Sequence, residues 1–167
     1  PRVNILQPGP GVGGHCIAVD PWFIVSKTKK EAKLIKTARL VNDSKPNWVV
    51  SQVKSALKEF LKSHPEKSSK DVVIACFGLS YKPDIDDLRE SPSILITKSI
   101  SSFHSGKILC VEPHIKDYSG SENLELVSFK EAETRADIGV LLVDHKEFRD
   151  SGIPNIKFII DTKGIWR

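Results

Sequence analysis

The run Val72-Val-Ile-Ala-Cys-Phe77, closed by Gly78, decides the fold. It is short, rich in β-branched residues and apolar at every position instead of every second one. That pattern belongs to a strand covered on both faces in a parallel sheet. Toward the carboxyl end, Ser91 caps a helix with Pro92 in its first turn, predicted from 92 to about 103 and stopped by Gly106. Lys107-Ile-Leu-Cys-Val111 reads as the next strand and residues 129–135 as a helix. Ile138-Gly-Val-Leu-Leu-Val143 and Phe158-Ile-Ile160 read as further strands. Strand and helix in alternation predict an α/β architecture, a doubly wound parallel sheet.

Toward the amino end, His64-Pro-Glu-Lys-Ser-Ser-Lys70 is polar and interrupted by proline, so it reads as a linker between units 1–66 and 67–167. On that division residues 70–167 are expected to fold alone and to bind their ligand weakly. Before the linker, Ala32, Leu34, Ile35, Ala38 and Val41 have amphipathic helical spacing. Asn42-Asp43-Ser44-Lys45-Pro46 is expected to break that helix. Asp43 or Ser44 then caps a second one, whose stripe is Trp48, Val49, Val53, Ala56, Leu57, Phe60 and Leu61.

The chemistry concentrates further upstream, in Gly9-Pro-Gly-Val-Gly-Gly-His-Cys-Ile-Ala-Val-Asp20. So much glycine and proline leaves main chain lining the surface, where a ligand can approach closely. Cys16 closes the turn. A thiol is a strong nucleophile that needs only modest activation, and polar His15 and Asp20 argue against an ordinary buried cysteine here. Asp20, four residues on, is placed to orient a water or take a proton. The spacing Gly9-x-Gly11-x-x-Gly14 also matches a dinucleotide fingerprint, but that motif must open a helix. Pro21 and the run Trp22-Phe-Ile-Val25 are read as leaving no room for one.

Composition narrows the class. There are 167 residues, 40% of them hydrophobic, enough for one or two compact units. The net charge of +4 is spread through helices without interleaved aromatics, which disfavours nucleic acid and suits a phosphate-bearing small molecule. Three cysteines without framework spacing suggest a reducing, cytoplasmic setting, with Cys76 and Cys110 in the core. No run approaches the roughly 20 apolar residues of a membrane span. No metal site is expected. A chain without methionine that opens on Pro1 and runs into a binding loop reads as part of a longer polypeptide.

Two long strings resemble one family. Gln7-Pro-Gly-Pro-Gly-Val-Gly-Gly-His-Cys-Ile-Ala-Val-Asp-Pro-Trp-Phe-Ile24 is similar to the active-site loop of the UDP-glucose/GDP-mannose dehydrogenases, in the branch that acts on UDP-N-acetyl-D-mannosamine. Gly78-Leu-Ser-Tyr-Lys-Pro-Asp-Ile-Asp-Asp-Leu-Arg-Glu-Ser-Pro92 resembles the loop of that family's UDP-binding domain. Ala38-Arg-Leu-Val-Asn-Asp43 resembles its Ala-Arg-x-x-Asn-Asp stretch, where helices serve packing and dimer contacts.

The resemblance implies a carboxy-terminal Rossmann-like domain preceded by the active-site loop and helices of a central domain. It implies Cys16 as catalytic nucleophile, Asp20 as the group that activates water, and backbone amides of the glycine loop as an oxyanion site. Gly13, Tyr81, Lys82 and Lys163 are implied as UDP-sugar contacts, the last within Asp161-Thr-Lys-Gly164, with Arg2 toward the diphosphate. Arg89 is implied as a contact to NAD. The implied reaction is a double oxidation of a sugar C6 alcohol to the carboxylate, consuming two NAD, in a homodimer. The family's amino-terminal NAD domain is missing, so the alternative stands open of a non-catalytic UDP-sugar-binding or dimerisation module, as does a dehydrogenase for another UDP-sugar such as UDP-glucose.

Overall fold

The computed structural model describes residues 7–118 and 122–166, so Arg2 lies outside the described residues. Five parallel strands form one sheet: β1 (Ile74–Phe77), β2 (Ile108–Val111), β3 (Leu124–Leu126), β4 (Ile138–Leu141) and β5 (Phe158–Asp161), in the order β3-β2-β1-β4-β5. In register, Cys76 lies opposite Cys110 on one side and Val140 on the other. The chain winds outward from β1 to β3, then returns to β4 on the far side of β1. The carboxyl ends of β1 and β4 therefore flank the topological switch point, where open α/β sheets form their binding crevice.

Alternation within the strands divides the core. Ile74, Cys76, Ile108, Cys110, Ile138 and Val140 face one layer, made by α2 (Lys33–Ser63) and α3 (Pro92–Phe103). Ala75, Phe77, Leu109, Val111 and Leu141 face the other, where α4 (Phe129–Arg135) and α5 (Lys146–Ser151) supply Ala132 and Phe148 beside Trp166. Phe77 anchors that second layer, with edge-on contacts to Phe148 and Trp166 at ring-centroid distances of 5.8 and 5.0 Å. Completely covering such a ring contributes about 2–3 kcal/mol. The doubly wound parallel sheet expected from the sequence is the observed one.

Elsewhere the structure corrects the reading. Residues 42–46 do not break a helix; α2 runs unbroken through 31 residues with Pro46 inside it. Neither Asp43 nor Ser44 acts as a cap: Asp43 pairs with Arg39, and the Ser44 hydroxyl donates back to Val41 O. A proline at an interior position removes its bond to the carbonyl four residues back and costs about 3 kcal/mol. Long-range contacts on both sides of the proline offset this, since Val49, Val53 and Phe60 are buried against the sheet.

Pro21 and the residues after it also form a helix, α1 (Asp20–Lys27). Proline in the first turn removes only an amide that would lack a partner, and Asp20 and Lys27 suit the helix dipole at its two ends. The stretch read as a linker is ordered too. Ser68 and Asp71 make a capping box on a short 3-10 turn, and Lys67 pairs with Asp137 at 2.8 Å. Strand β3 and helix α5 are too short to show a period in sequence. No helix of the described residues is long and apolar enough to cross a membrane.

Candidate functional site

Past the end of β1 the chain must turn at once, and Gly78 does so at φ 90°, where a Cβ would stand 2.4 Å from Val143 Cβ. The following loop is pinned from three strand ends. Glu112, the first residue after β2, accepts from Leu79 N at 2.7 Å and Ser80 N at 3.0 Å, and from His145 Nε2 at 3.1 Å. Burial alone would raise the Glu112 pKa, but the hydrogen bonds from His145 and the two amides outweigh it and hold the carboxyl below its ordinary value. His145 Nδ1 accepts from Asp84 N at 3.0 Å, which leaves Nε2 as the ring's donor. At the loop's far end the Ser91 hydroxyl donates to Leu79 O at 2.6 Å and its oxygen caps α3.

This frame presents Tyr81 and Lys82 outward, with Lys82 Nζ 5.8 Å from the Tyr81 ring centre. At the end of β5, Asp161 accepts from the amides of Lys163, Gly164 and Trp166 at 2.6–2.9 Å, a turn that aims Lys163 back across the sheet edge. There Lys163 Nζ meets Asp144 Oδ1 at 3.1 Å, while Arg149 takes the other Asp144 oxygen. Asp144 is nearly buried, so this cluster holds the lysine in place.

The glycine-rich loop lies over these groups. A Cβ on Gly13 would stand 2.3 Å from Glu90 O, and one on Gly14 2.9 Å from the Tyr81 ring, so only glycine permits the seating. Between loop and sheet edge is a cavity of about 300 Å³ lined by Gln7, Gly11, Gly13, Tyr81, Lys82 and Lys163, among others. Four sequence-derived contacts, Gly13, Tyr81, Lys82 and Lys163, thus converge on one space. Ile17 reaches its wall; Cys16, one residue earlier, is exposed beside it. The amides of Val19 and Asp20 close on Cys16 O at 3.1 and 2.8 Å, so the first turn of α1 grows directly from the cysteine's carbonyl. Asp20 is exposed at that helix start.

Arg89 is not brought to this cavity. It is exposed and clasps Asp87, with Nη2 to Oδ2 at 2.6 Å, and that hydrogen bonding pulls the Asp87 carboxyl to about 2. The other two cysteines are core residues, as expected. Burial pushes the Cys76 thiol up to about 12 and Cys110 in the same direction, so neither is a usable nucleophile.

Sequence reasoning did not single out Glu112, Asp144 or His145. The available signal was position, since each polar residue falls just past the carboxyl end of an apolar strand. Asp84, His114, His145 and Glu147 bring ligand atoms within 4.8 Å of one another. However, His145 Nδ1 already takes the Asp84 amide, and Asp84 Oδ1 takes Lys146 N at 2.9 Å. The group is a hydrogen-bonded joint between two loops.

Residues 75–167 match the model of the UDP-glucose/GDP-mannose dehydrogenase family, UDP binding domain, and residues 1–44 match the central domain of the same family. The chain is 55% identical to a UDP-N-acetyl-D-mannosamine dehydrogenase of Yersinia pestis, over all of this chain and 40% of that protein. It is 54% identical to an NDP-N-acetyl-D-galactosaminuronic acid dehydrogenase of Ralstonia solanacearum, over 99% of this chain and 38% of that one. A solved UDP-N-acetyl-mannosamine dehydrogenase from S. aureus superposes with a TM-score of 0.70 at 38% identity, covering 99% of this chain and 37% of that structure. The chain therefore spans about two fifths of the length of the relatives it matches. Its two matched segments carry the glycine loop and the Tyr81–Lys82 loop that meet over the cavity, and on that match the chain belongs to the UDP-glucose/GDP-mannose dehydrogenase family.

Proposed function

We propose that this chain is the UDP-sugar-binding and thiol-bearing portion of an NAD-dependent UDP-N-acetyl-D-mannosamine 6-dehydrogenase. The observation that carries the reading is the convergence of Gly13, Tyr81, Lys82 and Lys163 on one cavity beneath the loop that bears Cys16. Two lysines at the strand ends suit a diphosphate. The aromatic face of Tyr81 and the apolar wall suit a base or sugar ring.

Oxidising an alcohol to a carboxylate removes four electrons, which NAD held by the longer protein would accept as two hydrides. The described residues do not form a dinucleotide site by themselves. Helix α1 begins six residues beyond Gly14, and Glu112 already takes the amides after Gly78. Arg89 is the one residue assigned toward NAD, and its partner is Asp87.

This chain's own contribution lies at the aldehyde and acyl stages. The Cys16 sulfur attacks the aldehyde carbon, a C–S bond forms, and the carbonyl π pair moves to oxygen, where loop amides can receive the charge. After the second oxidation the carbon is a thioester. Water adds to it while Asp20 takes the proton, and the C–S bond breaks to return the thiolate and release the acid. The covalent link keeps the aldehyde from escaping between oxidations.

A homodimer fits this reading. Phe23, Ile24, Leu34, Leu40, Val41 and Trp48 leave an exposed apolar face on α1 and α2. Calorimetry with UDP tests the binding step. Weak binding that salt diminishes is expected, and Lys163→Ala and Lys82→Ala should each weaken it severalfold. No heat at millimolar UDP overturns the assignment. Because the Ralstonia relative names another sugar, extension to the relatives' full length and assay against UDP-N-acetyl-D-mannosamine, UDP-N-acetyl-D-galactosamine and UDP-glucose decides the sugar. Two NADH per sugar with the first is expected.

A further inference from the structure

The stretch Ala38-Arg-Leu-Val-Asn-Asp43 reads in sequence as helix packing, yet its polar side chains grip the loop that carries the cysteine. Asn42, on α2, uses both ends of its amide on one residue thirty positions away: Oδ1 accepts from Val12 N at 2.8 Å and Nδ2 donates to Val12 O at 3.4 Å. One turn earlier Arg39, nearly buried, donates from Nη1 to Ile17 O at 3.3 Å. Val12 and Ile17 bracket Cys16.

Asp43 ties the two grips into one unit. Its Oδ1 accepts from Arg39 Nη2 at 2.8 Å and from Asn42 Nδ2 at 3.1 Å. The main chain fits around the same spot. A Cβ on Gly11 would lie 3.7 Å from Asn42 O, the carbonyl freed by Pro46 one helical turn on. The gripped segment is also the partition between two cavities, since Val12 lines both the space with Lys163 and a second space of about 300 Å³ lined by Val19, Trp22, Arg39 and Glu90.

We infer that Asn42 and Arg39 are positioning residues, which fasten the loop around Cys16 to α2 and thereby fix where the thiol stands over the nucleotide-sugar cavity. Neither touches that cavity; they act through Val12 and Ile17. The inference rests on the proposed oxidation for its catalytic part, while the fastening itself is a property of this chain. A glycine-rich segment loses a large backbone entropy when ordered, and two side chains from a rigid helix supply bonds that hold it. A misplacement of about 1 Å between reacting atoms costs roughly 100-fold in rate.

The test uses Asn42→Ala, which removes both bonds, and Asn42→Asp, which keeps the acceptor for Val12 N. In the 167-residue chain, Asn42→Ala should speed exchange of the Val12 amide at least about tenfold, leaving the amides of β1, β2 and β4 unchanged. Asn42→Asp should restore most of that protection. Unchanged Val12 exchange in Asn42→Ala overturns the fastening. In the protein extended to the relatives' length, Asn42→Ala should lower kcat about 10- to 100-fold with KM for the UDP-sugar within about threefold. Faster exchange with undiminished kcat overturns the positioning role. An extended wild type that oxidises no UDP-sugar overturns the proposed function instead, and the exchange measurement still decides the fastening.

Discussion

Three thiols in one chain sort by environment. Cys16 is exposed in a polar turn, and the other two sit in the sheet with their thiols pushed upward by burial. Iodoacetamide should therefore label Cys16 first in the native protein, as peptide mapping would register, and equal labelling of all three would contradict the exposed nucleophile. In the extended enzyme, Cys16→Ser should stall the acid-forming half of the reaction while sparing substrate binding, because an alkoxide is a poorer leaving group than a thiolate. The sequence announced these residues, since a cysteine among glycines has no packing purpose. It did not announce Glu112, which becomes meaningful only when β1, β2 and β4 lie side by side and set its carboxylate against two amides and a buried imidazole. Replacing it by glutamine should cost about 1–3 kcal/mol at neutral pH, because part of that set goes unmatched. With its folded pKa below the ordinary 4.5, the charged form of Glu112 stabilises the fold at higher pH, and that contribution fades as pH falls through the folded value. The gap between wild type and Glu112→Gln in thermal unfolding should accordingly narrow below pH 4.5. A gap that widens there would exclude a charge-based role.

Among the elements, α2 best separates what local sequence can and cannot say. Asn-Asp-Ser-Lys-Pro is good turn chemistry, and read alone it ends a helix. It fails here because Asn42 is occupied with Val12, thirty residues away, and Asp43 with Arg39 one turn back on the same helix, while the apolar stripe beyond Pro46 is already committed to the sheet. Similarly, Pro21 counted against a helix only because the turn made by the Cys16 carbonyl, which launches α1, cannot be seen in sequence. Strands β1, β2 and β4 and helix α3 were legible for the opposite reason: the strands' burial on both faces and the helix's Ser-Pro cap are local facts. Pro46→Ala restores an amide that can reach the Asn42 carbonyl. It should raise the unfolding free energy by about 2 kcal/mol, the roughly 3 kcal/mol cost of an interior proline less the unfolded-chain entropy that alanine restores. A lowered Tm would mean that the Asn42 carbonyl left free by the proline is needed where the glycine loop packs against it.

At the scale of the whole molecule, α2 ties together the two units into which the sequence divides. Val49, Val53 and Phe60, all amino-terminal to residue 66, complete the same core layer as Ile74 and Ile108. At about 1.5–3 kcal/mol each, their loss would remove much of the 5–15 kcal/mol that usually stabilises a domain. Residues 70–167 alone should therefore lose cooperative unfolding by circular dichroism, contrary to the sequence expectation, whereas a segment beginning near residue 45 should keep it. The unbroken helix has one more consequence. Arg39 and Asn42 face the thiol loop from its amino half, and Val49, Val53 and Phe60 face the nucleotide sheet from its carboxyl half, so the angle between the two is set by counting residues along a screw. One alanine inserted beside Lys45 turns the halves about 100° out of phase, and seven inserted residues come within about 20° of true while adding roughly 10 Å. Both insertions should leave the sheet folded with Tyr81, Lys82 and Lys163 in place, yet the single insertion should swing the thiol loop aside and the longer one should lift it away, so that the spacing between chemistry and recognition behaves as a pitch that tolerates no change of count.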